Sequence, residues 1–264
     1  MLMLKNVLVF GATSTVAHAM MDKLSKSDDS QFYVVARNQR KLEQQCSSSQ
    51  LNIVGYYQAD LYQPQDDQLH QIVDQAYQAM GAIDLVIIAH GDLFDQVGSE
   101  RSGDMLSDTI MLNAISPMRI TSAVLHRLES SVQSEPKTQP FNKAAVKFAV
   151  LTSVAGDRGR PRNFSYGAAK GALSLFLQGL RSVHYRSEYQ FYDFKLGPVD
   201  SPMTTTHAKN FSFSQPDQVA AIMVKALSSR RYVHYVPGWW RWVMLVVRMM
   251  PEWLFQRLSF LSAR

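Results

Sequence analysis

The sequence predicts an α/β protein: a doubly wound parallel sheet of about seven strands flanked by helices, with a C-terminal amphipathic helical extension. Three observations carry this. Short apolar, β-branched runs alternate with segments of helical periodicity along most of the chain, the pattern of strands joined by crossover helices. The first run closes on Gly11 and a helix-like segment follows at once, which is how such a sheet opens. At 264 residues and 46% hydrophobic content, the chain supplies one large core and leaves no room for a second full domain.

Residues 5–11 form the first predicted strand, followed by a helix over 14–26. A strand over 32–36, a polar helical stretch, a strand over 53–58, a helix near 65–80 and a strand over 83–89 continue the alternation. A long helix is expected over about 102–128. Residues 129–142, rich in Ser, Gln and Pro, read as an inserted surface loop. Strands over 145–151, 190–196 and 231–236 then alternate with helices over 165–186 and 217–228. Nothing repeats internally. The expected division is a main domain over 1–236 and an extension of that same domain over 237–264.

The net charge of +5 raises the question of a nucleic-acid partner. Its position answers against one. From residue 228 onward six arginines face Glu252 alone, while the first 227 residues carry 21 basic and 21 acidic side chains. No duplex-binding face spreads over the fold. The single cysteine, Cys46, excludes an internal disulfide, and the opening residues 1–5 lack the pattern of a secretory leader. A cytoplasmic protein is expected, with the inner face of the cytoplasmic membrane as an alternative placement.

The extension explains why that alternative is kept. Trp239, Trp240 and Trp242 stand among aliphatic residues and methionines, interrupted by Arg241 and Arg248 and ended by Pro251. The run is too short to span a bilayer. The two arginines are seven residues apart and share a helical face, which suits a helix lying in a membrane interface. A helical hairpin covering a cleft or a subunit interface is the other reading.

The first strand-to-helix turn, Gly11-Ala12-Thr13-Ser14-Thr15-Val16-Ala17, lies where the helix N-terminus of a Rossmann-type sheet meets a pyrophosphate. One glycine remains in it; Thr15 and Ala17 stand where glycines usually bring backbone close to phosphate. Arg37 follows the second strand, where an acidic residue would hold the ribose hydroxyls of NAD and a cation the 2′-phosphate of NADP. No Asp or Glu stands between residues 34 and 40, so NADPH is expected over NADH. Asp60, with Leu61, ends the third strand near the expected adenine edge.

Ser153 follows a buried strand, and Tyr166 is followed at i+4 by Lys170 on one helical face. A phenol near pKa 10 is a poor proton donor, and a neighbouring ammonium is expected to draw it towards the working range. Ser153 can hold a carbonyl oxygen by a hydrogen bond while Tyr166 protonates the alkoxide that hydride transfer leaves there.

These residues in this setting resemble the short-chain dehydrogenase/reductase family over nearly the whole chain. Ser153, Tyr166 and Lys170 match its catalytic serine, tyrosine and lysine. The resemblance implies that Asn113 is the helix asparagine that holds a proton-relay water. It implies that Gly197-Pro198-Val199-Asp200-Ser201 runs beside the nicotinamide, with Gly197, Val199 and Ser201 at the cofactor. Ala89-His90-Gly91 replaces the family's usual Asn-Ala-Gly, and His90 is expected to be structural. More narrowly, Gly11-Ala12-Thr13-Ser14, Ile88-Ala89-His90-Gly91 and the segment 153–160 resemble a bacterial subgroup related to decaprenylphosphoryl-2-keto-ribose reductases. The implied activity is reduction of a ketone, with a lipid-linked keto-sugar or other amphipathic molecule as substrate and a homodimer or homotetramer as the assembly. A non-catalytic dinucleotide sensor or scaffold is the rival reading. Its usual mark, loss of the tyrosine or the lysine, is absent.

Overall fold

The structure, a computed structural model, describes residues 4–46, 50–134, 146–205 and 212–258. Seven parallel strands form one sheet in the order β3-β2-β1-β4-β5-β6-β7. They are β1 (Asn6–Phe10), β2 (Gln31–Ala36), β3 (Asn52–Gln58), β4 (Leu85–Ile88), β5 (Val146–Ser153), β6 (Tyr189–Leu196) and β7 (Val233–Val236). The order reverses between β1 and β4, which pair from Val7 with Leu85 to Phe10 with Ile88.

Strand alternation puts successive side chains into two cores. Val7 and Val9 point to one side with Phe32, Val34, Leu85, Ile87 and Tyr192, under helices α1 (Thr15–Asp28) and α8 (Pro216–Ala226). Leu8 and Phe10 point to the other with Val35, Val86, Ile88, Phe148 and Phe191. Helices α3 (Asp66–Met80), α6 (Ser116–Ser134) and α7 (Phe164–Val183) cover that face. Strands buried on both faces are why β1, β2 and β4 read as continuous apolar runs. Helix α2 (Gln39–Cys46) follows β2.

The structure refines the expected elements at three places. The helix expected over 102–128 is α5 (Gly103–Ile110), a π turn over Met111–Ile115, and α6. Ser102 is its N-cap, accepting from Met105 N at 3.3 Å. Asn113 Nδ2 donates to the Thr109 carbonyl at 3.0 Å, giving that group a partner where the widened turn alters the ladder. A short helix, α4 (Gln96–Arg101), precedes it, capped by Asp95 accepting from Gly98 N at 2.7 Å. Finally, α6 runs to Ser134 through the start of the expected loop, the rest of which, 135–142, lies outside the described residues.

The extension is two helices, α9 (Trp240–Met249) and α10 (Glu252–Arg257), broken at Pro251. Among the described residues no helix is long and apolar enough to cross a membrane. Trp240, Met244, Val247 and Phe255 pack with Val154 in a small core of their own. Arg158 fastens this core. Its Nη1 donates to the carbonyls of Val247 at 2.6 Å and Met250 at 2.5 Å, satisfying the end of α9. Its guanidinium also lies 4.3 Å from the Phe255 ring centroid.

The 3-10 turn after β5, Val154–Asp157, lies directly on α7. A Cβ on Gly156 would stand 2.6 Å from Gly171 N, and one on Gly171 would stand 2.8 Å from the Gly156 carbonyl oxygen. The two backbones therefore meet with no side chain between them. Gly156→Ala is expected to cost about 2 kcal/mol by urea unfolding, because backbone rather than a side-chain tip must yield. Gly159→Ala, where an added Cβ meets nothing within 4 Å, is expected to stay within about 0.5 kcal/mol.

Candidate active site

A cleft of about 790 Å³ opens at the C-terminal ends of the central strands, beside the reversal of strand order where ligands of such sheets bind. Its size is in the range of cofactor and substrate sites. Each residue expected to hold a dinucleotide lines it: Gly11, Thr13, Ser14, Thr15, Val16, Arg37, Asp60, Leu61, Ala89, His90, Gly91, Gly197, Val199 and Ser201. Ser153, Tyr166 and Lys170 line it too.

The residues present fit a dinucleotide. Gly11 has φ +79°, and a Cβ there would strike His90 N at 2.6 Å, so this glycine alone keeps the turn open. Ser14 caps α1 without a side-chain hydrogen bond, which leaves the first N–H groups of a 14-residue helix for an anion. Arg37 stands exposed at one end, and Lys41, which was not among the expected site residues, joins it on the cleft wall. A cation one helical turn beyond a strand-end arginine was the available signal.

His90 is held in one form by its neighbours. Ser116 Oγ donates its single proton to the Leu61 carbonyl at 2.5 Å, so His90 Nε2, 2.8 Å from Ser116 Oγ, must be the donor of that pair. Nδ1 is then a bare acceptor, and it is buried without a hydrogen-bond partner. Burial, with Lys170 and Arg37 adding to it, pushes the imidazole down to about 3. It is neutral at any working pH, which agrees with a structural and orienting part rather than acid–base work.

At the chemical end, Ser153 ends β5 while Tyr166 and Lys170 lie one turn apart on α7. The glycine contact between the 154–157 turn and α7 fixes one against the other. Ser153 Oγ accepts from Ala155 N at 3.1 Å and donates to the Leu196 carbonyl at 3.4 Å. Lys170 is 4% exposed, and its Nζ donates to the Leu151 carbonyl at 3.1 Å and lies 5.8 Å from the Tyr166 ring centroid.

The electrostatics correct one expectation. Burial pushes the Tyr166 phenol up to about 12, against an opposing hydrogen bond with Ser153 and with a small further rise from Asp92. The net shift is upward, although the Lys170 ammonium lies 5.8 Å from the ring centroid. Tyr166 therefore keeps its proton through the neutral range, the state a proton donor needs. Burial lowers Lys170 to about 8, partly offset by Asp193, so it remains cationic at neutral pH.

Asn113 is placed differently from its three partners. It is buried behind the wall, with Nδ2 donating to the Asp92 carbonyl at 2.9 Å and Oδ1 accepting from Asp92 N at 3.2 Å. Leu112 lines the cleft in its place. Asn113 thus anchors the Gly91–Asp92 backbone; a Cβ on Gly91 would lie 2.8 Å from its Oδ1 and 3.4 Å from Lys170 Nζ. Arg160, Arg162, Asn163 and Trp240 also line the cleft and were not foreseen. The arginines stand a few residues before Tyr166 in the sequence, a visible signal. Trp240 depends on the extension folding back, which no local pattern reveals.

Residues 5–211 match the family model for short chain dehydrogenases, and the chain belongs to that family. It is 27% identical over 258 residues, 96% of each chain, to an uncharacterized oxidoreductase of Streptomyces coelicolor. Identity to an uncharacterized oxidoreductase of Mycobacterium tuberculosis is 22% over 255 residues, again 96% of each chain. The family match and these relatives, set on this sheet and cleft, make the chain an NAD(P)-dependent oxidoreductase. Among solved structures, a short chain dehydrogenase from Bacillus anthracis superposes with a TM-score of 0.73 at 13% identity, covering 94% of this chain and 97% of that one. A point variant of the actinorhodin polyketide ketoreductase with NADPH gives 0.69 at 17% identity, covering 84% and 89%. An alcohol dehydrogenase from Thermococcus sibiricus complexed with 5-hydroxy-NADP also gives 0.69, at 18% identity, covering 88% and 95%. These three likenesses are of fold.

A buried ammonium that titrates near 8 sets a pH limit. Lys170 is charged below about 8 and loses that charge as the pH rises through this point. The kcat/KM for reduction is expected to be flat through neutral pH and to fall about tenfold per unit above the Lys170 transition. A profile still flat well beyond that point would show that the ammonium is not required.

Proposed function

We propose that the protein is an NADPH-dependent carbonyl reductase that converts a ketone to an alcohol, with Tyr166 as proton donor. The observation that carries this reading is the joining of two half-sites in one cleft: an open helix N-terminus at Gly11–Val16, and Ser153, Tyr166 and Lys170 on the wall beyond it. A sensor or scaffold would need the first and not the second. The ketoreductase with NADPH among the structural neighbours is in keeping with it.

NADPH, when bound, supplies the hydride. The chain's own residues do the rest. The α1 N-terminus and the Thr13–Val16 turn receive the pyrophosphate, and Arg37 with Lys41 receives the 2′-phosphate. Ser153 donates a hydrogen bond to the substrate carbonyl oxygen, holding it where negative charge develops. Tyr166 gives its proton to that oxygen as it becomes an alkoxide, and Lys170 stabilises the phenolate left behind. Ser153 and Asn113 act differently here: the first touches the substrate, whereas the second positions the Gly91–Asp92 backbone behind it.

The wall beyond the trio carries Leu93, Leu112, Met203, Phe213 and Trp240 beside Arg160 and Arg162. Apolar surface with two cations suits an amphipathic ketone, and the lipid-linked keto-sugars of the resembling subgroup are one such class. Placement at the inner face of the cytoplasmic membrane belongs to the same proposal.

Tyr166→Phe is expected to lower kcat by about 10² or more while leaving the NADPH dissociation constant within about threefold. Activity retained in that variant would remove the proposed acid. Arg37→Ala is expected to weaken NADPH about tenfold and NADH hardly at all, by fluorescence titration, since the 2′-phosphate alone loses its partner. Equal weakening of both would overturn the assignment of Arg37.

A further inference from the structure

Helix α9 carries two apolar stripes, and the chain covers one of them. Trp240, Val243, Met244 and Val247, at i, i+3, i+4 and i+7, face inward against Val154 and the cleft. Trp242, Leu245, Val246 and Met249 repeat that spacing on the opposite side and are exposed, at 65%, 47%, 62% and 76%. Trp239 and Trp253 extend the exposed surface at 40% and 60%. An apolar strip of this length on one face of a soluble fold marks a contact.

The charge beside it says what the contact is. Arg241 and Arg248, seven residues apart, lie along one seam between the two stripes; Arg248 is hydrogen-bonded to Tyr235, which leaves Arg241 and Arg257 as the cations beside the exposed tryptophans. The Arg241 guanidinium lies 5.6 Å from the Trp242 ring centroid, and that of Arg257 lies 5.5 Å from the Trp253 ring centroid. These tryptophan–arginine pairs sit in the segment that holds all of the chain's excess charge. In a symmetric contact between two copies, this cationic face would meet itself. The first 227 residues, with 21 charges of each sign, offer no net attraction either. An anionic bilayer offers both halves of the match: headgroups for the guanidinium groups and an acyl boundary for the indoles.

We propose that the outer face of α9 and the start of α10 is a monotopic docking surface for an anionic lipid bilayer. The helix lies in the interface, since ten residues reach only about 15 Å along its axis. Its inner side is already a wall of the cleft through Trp240, so a single helix separates bilayer from substrate site. Docking does not depend on the reaction proposed above.

The test is flotation of the full-length protein with vesicles of phosphatidylglycerol and phosphatidylcholine mixed, and of phosphatidylcholine alone. Binding is expected to the mixed vesicles, weakening as salt rises. Trp242→Ala with Trp253→Ala is expected to reduce it about tenfold or more through lost apolar burial, and Arg241→Gln with Arg257→Gln to remove most of the preference for the anionic lipid. Circular dichroism and the unfolding midpoint of each variant should match the parent, because all four side chains are exposed. No binding of the folded parent to mixed vesicles, or equal binding by the tryptophan variant, would overturn the proposal. So would a change of oligomeric state on tryptophan substitution without vesicles, which would assign the face to a second copy. Each of these results leaves the reductase reading to be judged by its own turnover.

Discussion

The site depends on one contact: the backbone of the turn after Ser153 resting on the backbone of the helix that bears Tyr166 and Lys170. Gly156 and Gly171 allow an approach that any side chain would block. Strand β5 sets the serine, α7 sets the tyrosine and lysine, and nothing local to either element relates them. The contact converts two independent pieces of secondary structure into one arrangement. The same turn then passes through Asp157, whose carboxylate takes Lys195 Nζ at 2.5 Å and the Tyr235 hydroxyl at 2.6 Å, and through Arg158, which secures α9. Cleft, sheet edge and extension are thereby tied to a few residues.

Burial determines the chemistry of that arrangement. A tyrosine in water would share its proton readily only near pH 10, and here burial makes it hold the proton more firmly still. That suits donation to an alkoxide, a far stronger base. The buried lysine titrates close enough to neutrality for its charge to matter and far enough above to be retained. His90, near enough for the Lys170 charge to act on it, is kept neutral chiefly by the same burial. One low-dielectric pocket thus shifts all three groups, Tyr166 upward and Lys170 and His90 downward.

Much of the fold was legible because strands buried on both faces, β1, β2 and β4, write themselves as continuous apolar runs, whereas β3, β6 and β7 carry polar residues and were read from their place in the alternation. Helix ends were less legible. Ser102 caps rather than begins a helix, and α4 is too short for periodicity to register. That the first strand-to-helix turn and Arg37 line the cleft was readable despite the missing glycines, because position after a strand carries the information. Lys41, Arg160 and Arg162 line the cleft beside residues that the sequence marks, Arg37 and Tyr166, so their signal was local; Trp240 reaches the wall only because the extension folds back. The position of Asn113 followed from the family pattern, but its burial behind Gly91 is a property of the π turn. The downward pull expected of Lys170 on Tyr166 was a sound pairwise argument that omitted desolvation, which outweighs it.

Transfer of a hydride and a proton distinguishes the proposed reaction from binding of a dinucleotide alone. It is tested most directly by incubating the protein with NADPH carrying deuterium at the transferable position and a panel of hydrophobic and amphipathic ketones, with the products read by mass spectrometry. The proposed reaction requires a single deuterium on the carbinol carbon of at least one product, formed about a hundredfold more slowly or slower still when Tyr166 is replaced by phenylalanine. Tight binding of NADPH with no label passed to any ketone would contradict it and identify the chain as a dinucleotide-binding protein without this chemistry.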